Sequence, residues 1–309
     1  MTGLYLSRVK KRNFQQNDDI MQLAQKVAIG YLRAKLNLIG VVSKKRAAQE
    51  AMIIFSTPFR KVKKAVPAIF EKCELIGFRL HGKKITGYRW NHPSPKKLLV
   101  LHGFESSAFN FERYIKPLIK IGYEVVAVDA PAHGKSEGKT INLLDYIETI
   151  QETEKRYGPF DAALAHSFGG IAISMYLEKS KRKDKMKLVL IAPATETVTA
   201  IDSFFRFLQL NDGIRTEFNK LIHHRTGHWP SHFSIKRVAA QLPAEILWVH
   251  DEDDDMTPLS DAEPIQKANY PHIRFMITKG LGHRRIYRDT EVSRIILNFF
   301  SEGRSKEDL

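Results

Sequence analysis

Ala165-His166-Ser167-Phe168-Gly169-Gly170 is the stretch on which the reading of this 309-residue chain turns. It closes Phe160–Ala165, an apolar run with the length of a buried strand, and opens Gly169–Lys179, whose spacing is helical. A serine on a strand-to-helix turn is held in a tight backbone conformation that projects its hydroxyl. Residues two before and two after it must be small, because backbones crowd there, and Ala165 and Gly169 meet that need. The new helix also offers free N–H groups and the positive end of its dipole beside the hydroxyl. The pattern is that of a nucleophile elbow.

Strand and helix signals alternate on both sides of it. Phe70–Phe78 and Lys84–Trp90 read as strands around the turn His81-Gly82, followed by the strand Lys97–Leu101 and a helix over Phe109–Ile121. Tyr123–Val128 reads as a strand and Asn142–Tyr157 as an amphipathic helix. Lys187–Ile191, Glu245–Val249 and Ile273–Ile277 are further strands, and Thr290–Phe300 is a closing helix with Asp289 as its N-cap. Such alternation predicts an α/β fold: a mostly parallel sheet of about eight strands with helices on both faces. Between 193 and 242 the alternation pauses in a helical, aromatic and then His-rich segment, read as a lid-like insertion above the sheet. Its Phe204, Phe205 and Leu208 fit plain packing or the lining of an acyl pocket.

Three loops add chemistry. Leu101-His102-Gly103-Phe104 follows a strand and can aim the Phe104 N–H at a developing oxyanion, with the Phe168 N–H as second donor. The acidic run Asp251-Glu252-Asp253-Asp254-Asp255 follows the next-to-last strand, where a triad acid would sit in an open parallel sheet. Gly280-Leu281-Gly282-His283 follows the last strand, and a histidine flanked by glycines can reach both an acid and a serine. The chain order is Ser, Asp, His.

Over roughly residues 68–303 the sequence resembles the α/β-hydrolase-fold serine hydrolases, of esterase or lipase type. Asp129-Ala130-Pro131-Ala132-His133-Gly134-Lys135-Ser136 is similar to that family's D-x-x-G-x-G-x-S segment, with Ala132 in place of the first glycine. Ala165 likewise replaces the usual first glycine of the elbow. The resemblance implies Ser167 as nucleophile, His283 as general base, and the backbone N–H groups of Phe104 and Phe168 as oxyanion hole. It places the acid at Asp254, four residues before Pro258. The implied function is cleavage of a carboxylic ester or thioester of a small-molecule acyl substrate through an acyl-enzyme, with no cofactor and no metal. The alternatives are an acyltransferase or peptidase on the same triad, or a non-catalytic scaffold. A serine at the elbow argues against haloalkane dehalogenase or epoxide hydrolase chemistry, for which this fold places an aspartate there.

The neighbouring histidines His102, His133 and His166 read as structural. The acidic run near His250 lacks a Gly-turn calcium loop, and His223, His224, His228 and His232 lack a zinc spacing, so no metal is expected there. A single cysteine, Cys73, excludes a disulfide framework and reads as a small buried hydrophobe.

The chain carries 49 Lys+Arg against 34 Asp+Glu, net +15. Residues 1–66 hold 14 of the cations and 3 of the anions, net +11, which leaves +4 for the rest. The excess, clustered at Lys10–Arg12, Lys44–Arg46 and Arg60–Lys64, therefore belongs to an N-terminal extension ahead of the hydrolase domain at 67–303 and a short tail at 304–309. Ile20, Leu23, Ala24, Val27, Ala28, Tyr31, Leu32 and Leu36 predict one helix over about 20–42, and Lys44 to Phe55 a second. Three readings of this extension stand: a helical pair packed on the main domain, a helix lying in an anionic membrane surface, or a partner-binding arm. No nucleic-acid recognition motif is present. The first residues lack the apolar core of a secretory signal, and the helix is too charged to span a bilayer. The expected location is cytoplasmic, with peripheral contact to the inner membrane face through the extension. Oligomeric state is not written in the sequence.

Overall fold

The computed structural model describes residues 26–59, 65–180, 182 and 184–302. The basic clusters Lys10–Arg12 and Arg60–Lys64, residues 20–25 of the expected first helix and the tail at 304–309 lie outside the described residues. The chain divides into two units, one of residues 56–200 with 230–302 and one of residues 26–55 with 201–229.

Two helices lead, α1 (26–42) and α2 (Lys44–Phe55). The single turn α3 (Ala68–Glu71) precedes the hairpin of β1 (Glu74–Leu80) and β2 (Lys83–Trp90). Next come β3 (Lys96–Leu101), α4 (Glu112–Lys120), β4 (Tyr123–Val128), α5 (Leu143–Tyr157), β5 (Ala162–His166), α6 (Phe168–Lys179) and β6 (Met186–Ile191). Helices α7 (Thr197–Leu208), α8 (Asp212–Thr226) and α9 (Ile235–Val238) separate β6 from β7 (Ala244–Asp251). The chain continues through α10 (Glu263–Ala268), β8 (Ile273–Thr278), α11 (Gly282–Arg285) and α12 (Thr290–Ser301).

The eight strands form one sheet in the order β1-β2-β4-β3-β5-β6-β7-β8. Only β1 and β2 run antiparallel to their neighbours, and β4, β3, β5, β6, β7 and β8 are parallel. The hairpin turns at His81 and Gly82, whose φ angles of 47° and 76° suit the right-handed twist of the flanking strands. The expected strand start at Phe70 is corrected to Glu74. Pro67 opens a helical turn over 68–71, and Phe70 packs edge-on against Tyr88, Trp90 and Phe109 instead of pairing in the ladder.

Both faces of the parallel strands are covered. Leu98, Val100, Val125, Ala127, Leu247 and Val249 pack with Tyr114 and Leu118 of α4 and Ile296, Phe299 and Phe300 of α12. The alternate residues, among them Leu99, Val126, Leu190 and Trp248, are buried as well. This two-sided burial is why the strands read as unbroken apolar runs rather than alternating ones.

The second unit is helical. Ala47, Ala48, Ala51 and Met52 of α2 share a core with Leu36 of α1, Ile201, Phe205 and Leu208 of α7, and Ile214 and Phe218 of α8. The alanines let helices approach closely, and Phe55 meets Phe204 and Phe218 edge-on at 5.2 and 5.6 Å. The aromatic stripe of α7 thus takes part in a core with the segment that precedes the sheet in sequence.

Helix α5 begins with a complete capping box, in which the Asn142 side chain accepts from the Asp145 N–H while Asp145 accepts from the Asn142 N–H. Asn142→Ala should cost roughly 1 kcal/mol. Thermal unfolding would register it as a midpoint lowered by about 2–4 °C.

Candidate active site

The strands bring four loops to one edge of the sheet: those after β3, β5, β7 and β8. Ser167 stands between β5 and α6 with φ 52° and ψ −117°, a conformation that residues with a Cβ rarely adopt. The turn is pinned by Ser167 N–H donating to the Ile191 carbonyl at 3.0 Å and by Ala194 N–H donating to the Ser167 carbonyl at 3.0 Å. Its neighbours must be small for a steric reason. A Cβ at Gly169 would lie 2.8 Å from the His102 carbonyl oxygen, and one at Gly103 would lie 2.9 Å from Ser167 Cβ. Ala165, by contrast, is accommodated with its methyl fully buried.

His283 lies in α11, between Ser167 and the loop after β7. Its Nε2 is 3.0 Å from Ser167 Oγ and its Nδ1 is 2.8 Å from Asp254 Oδ2. All three side chains are buried. The geometry distinguishes the members of the acidic run. Asp254 reaches the imidazole, and it also accepts from the N–H groups of Met256 and Thr257, both at 2.9 Å. Asp251 turns to the histidine loop, accepting from Leu281 N–H, Gly282 N–H and Thr278 Oγ1. Asp253 accepts from Gly280 N–H. Burial is the largest influence on the Asp254 carboxyl and pushes it up. The His283 hydrogen bond and charge, with the two amides, together outweigh it, so the carboxyl lies below its ordinary range.

Phe168 is the first residue of α6, so its N–H is one of those the helix leaves without an internal acceptor. Gly103, one residue before Phe104, passes directly against Ser167. The loop that carries Phe104 thus reaches the serine through Gly103.

The nearby histidines each have a fixed tautomer. His102 donates from Nδ1 to the Gly103 carbonyl at 2.7 Å and accepts from Ala130 N–H at Nε2 at 3.0 Å. His133 donates to the Pro131 carbonyl and accepts from Glu105 N–H. His166 donates from Nε2 to the His283 carbonyl at 3.1 Å, anchoring the histidine loop to the elbow. Burial pushes His102 and His133 down to about 4 and His166 to about 3, so all three are neutral spacers at pH 7. Among the described residues, no three His, Cys, Asp or Glu side chains converge as a metal site.

The segment after β4 is tied by Asp129, whose carboxylate accepts from Ala108 N–H, Lys135 N–H and Tyr88 OH. Gly134, at φ +50°, is obligatory, since a Cβ there would fall on that carboxylate. Ala132 sits at φ 65° with its methyl, a strain of about 1 kcal/mol that the usual glycine would avoid.

Sequence reasoning missed Thr257. Its hydroxyl lies 2.9 Å from Asp254 Oδ2, 3.0 Å from His283 Nδ1 and 3.2 Å from the Ala192 carbonyl, so it braces acid and imidazole together. The loop-tying roles of Asp251 and Asp129 were missed too. Asp129 heads the D-x-x-G-x-G-x-S-like segment, which carried its signal, whereas Asp251 is one carboxylate in an acidic run.

Comparison with known proteins gives the following. A family model described as "Alpha/beta hydrolase family" matches residues 98–295. The uncharacterized hydrolase YugF of Bacillus subtilis is 28% identical over 126 residues, covering 36% of this chain and 42% of that protein's length. The structure of the esterase Pf2001 of Pyrococcus furiosus is similar at TM-score 0.58 and 20% identity, covering 79% of this chain and 95% of that one. A thioesterase domain from the curacin biosynthetic pathway is similar at TM-score 0.53 and 17% identity, covering 73% of this chain and 98% of that one.

The neutral histidines make stability depend on pH. Their folded values of about 4, 4 and 3 lie below the ordinary 6.5, so between those limits the unfolded chain binds protons that the folded chain does not. Their contribution is complete above about pH 6.5 and falls as pH drops towards about 4, by up to about 1.4 kcal/mol per unit for each. Asp129, whose carboxyl burial pushes up, offsets part of this. The thermal midpoint should fall steeply from about pH 6.5 to about pH 4.5. A midpoint level across that range would contradict this account.

Proposed function

The chain belongs to the α/β-hydrolase family, and on that premise we propose that it is a serine hydrolase cleaving a carboxylic ester or thioester. One observation carries the reading: Ser167 Oγ, His283 and Asp254 lie in one hydrogen-bonded line, at 3.0 and 2.8 Å. In the proposed cycle His283 Nε2 takes the Ser167 proton as Oγ attacks the acyl carbonyl. Asp254 holds Nδ1–H, fixing the tautomer and stabilising the imidazolium. The N–H groups of Phe104 and Phe168 receive the carbonyl oxygen as it becomes an oxyanion. The imidazolium then protonates the leaving alcohol or thiol. Water, deprotonated by the same histidine, releases the acid and restores Ser167. Every proton in the cycle has a donor and an acceptor among these residues and water. The likeness to an esterase and to a thioesterase domain supports the ester or thioester class. The same triad would serve an acyltransferase, in which an alcohol or amine replaces water in the second half.

A fluorophosphonate probe should label the native protein at Ser167 and leave Ser167→Ala unlabelled. On p-nitrophenyl esters of graded chain length, Ser167→Ala should lose about 10⁴-fold or more in kcat. Asp254→Asn should lose roughly 10³–10⁴-fold, while Asp253→Asn and Asp255→Asn stay near native. A folded native protein that neither labels nor turns over any ester or acyl thioester would sink the proposal. Adding acyl acceptors to the same assay separates transfer from hydrolysis.

Thr257→Val removes one hydroxyl bond from the acid and imidazole while keeping the Thr257 amide. One hydrogen bond of about 1.4 kcal/mol corresponds to about a tenfold fall in kcat, with KM unchanged. A rise in KM alone would assign Thr257 to substrate binding instead.

A further inference from the structure

Helix α1 has two apolar faces. Leu36 is fully buried in the core shared with α2, α7 and α8, and Ile29, Leu32 and Ile39 pack against that core. On the opposite side of the helix, Val27, Tyr31, Ala34, Leu38, Val41 and Val42 fall within roughly 60° of one line at 3.6 residues per turn. This stripe is bare: Tyr31 is 66% exposed, Leu38 71%, Val41 85% and Val42 87%. A Cβ added at Gly30, on the same side, would meet nothing within 4 Å. The expected single apolar face, which grouped Val27 and Tyr31 with Leu32 and Leu36, is therefore corrected. The helix is apolar twice over, and among the described residues only one side is packed.

The charge around the stripe selects what could cover the other side. Residues 26–42 carry Lys26, Arg33 and Lys35 and no acidic residue. Lys35 pairs with Glu50 of α2 and Arg33 donates to the Phe207 carbonyl, while Lys26 and, just beyond the helix, Lys44, Lys45 and Arg46 are exposed. Across residues 26–55 and 201–229, ten Lys+Arg stand against four Asp+Glu. The four-three spacing of the stripe would also suit a coiled-coil seam with a second copy. Two such helices would bring cation against cation, with no acidic residue within 26–42 to answer. An anionic bilayer meets both requirements at once, taking the apolar stripe at the level of its acyl chains and the cations at its headgroups.

We propose that the exposed stripe of α1 is a docking surface for anionic lipid membranes, with the helix lying in the plane of the interface. No helix among the described residues is long and apolar enough to cross a membrane, so this attachment is peripheral. It does not depend on the catalytic reading above.

The test is co-sedimentation of the full-length protein with vesicles of phosphatidylcholine alone or with about one-third phosphatidylglycerol. The comparison variant is Leu38→Ser/Val41→Ser/Val42→Ser, which removes the stripe and leaves every charge in place. Circular dichroism and thermal melting verify that it folds as the native chain does. The proposal expects pelleting that needs the anionic lipid, weakens at about 1 M salt, and drops about tenfold or more in the variant. Equal pelleting with neutral vesicles, or none with either, overturns it. Undiminished pelleting of the variant overturns it too, because binding would then come from elsewhere in the chain. A native dimer that the variant turns into a monomer, without vesicle binding, overturns it in favour of a second copy.

Discussion

A left-handed backbone at Ser167 limits what its neighbours can be. The conformation costs on the order of 1–3 kcal/mol and persists only because the surroundings hold it. Those surroundings are the end of β6, through the Ile191 carbonyl, and the loop after it, through the Ala194 N–H. The same tightness excludes side chains at Gly103 and Gly169, whose Cβ atoms would strike Ser167 Cβ and the His102 carbonyl. The strain exposes a hydroxyl at the top of a strand. The bare backbone around it lets the loop after β3 pass directly against the serine. Strand order does the rest: with β3, β5, β7 and β8 parallel, their following loops share one edge of the sheet.

Around that turn the protein buries polar groups that carry no charge or carry a fully bonded one. His102, His133 and His166 each lock two pieces of chain together while staying neutral. Asp251 and Asp129 do the same as acceptors of several donors. A buried carboxylate is costly unless its oxygens are satisfied, and here they are satisfied largely by loop N–H groups. The loop bearing His283 and the segment after β4 are thus held by these hydrogen bonds together with apolar packing, Leu281, Ile286 and Tyr287 joining the main core. This gives a position accurate enough for the 2.8 and 3.0 Å contacts of His283.

Much of this was legible in the sequence wherever a local rule decides. The run at 123–128 is apolar throughout because β4 is buried on both faces, and Asp289 caps α12 by accepting from Val292 N–H, as its position suggested. Ser167 and His283 were marked out by loops that follow strands, a feature written in one dimension, and Asp254 was picked from its acidic run by the family pattern that sets the acid four residues before Pro258. What could not be read depends on contacts between distant residues. Asp251 and Asp254 are three positions apart with the same side chain, and only the fold aims one at backbone and the other at an imidazole. Thr257 looks like a loop threonine until its hydroxyl meets His283, 26 positions away. Phe70 reads as strand by composition, yet the turn opened by Pro67 and an aromatic cluster claim it.

Helix α1 shows the same limit from the other side. Periodicity finds apolar positions and cannot say which of two apolar faces a core will take. Leu36 and Tyr31 are both on the three-four rhythm, and one is sealed while the other is two-thirds exposed. The net charge of residues 1–66, +11, first looked like a property separate from the helical pattern. One face of the helix packs into the core of its unit, where Lys35 also pairs with Glu50 and Arg33 donates to the Phe207 carbonyl, and the other face is left apolar and exposed. A helix selected only for packing would have polar residues on that outer side, since exposed valine and leucine add nothing to a core and invite association. Five large apolar residues exposed on this basic helix, Val27, Tyr31, Leu38, Val41 and Val42, are what the proposed apolar and anionic partner would cover.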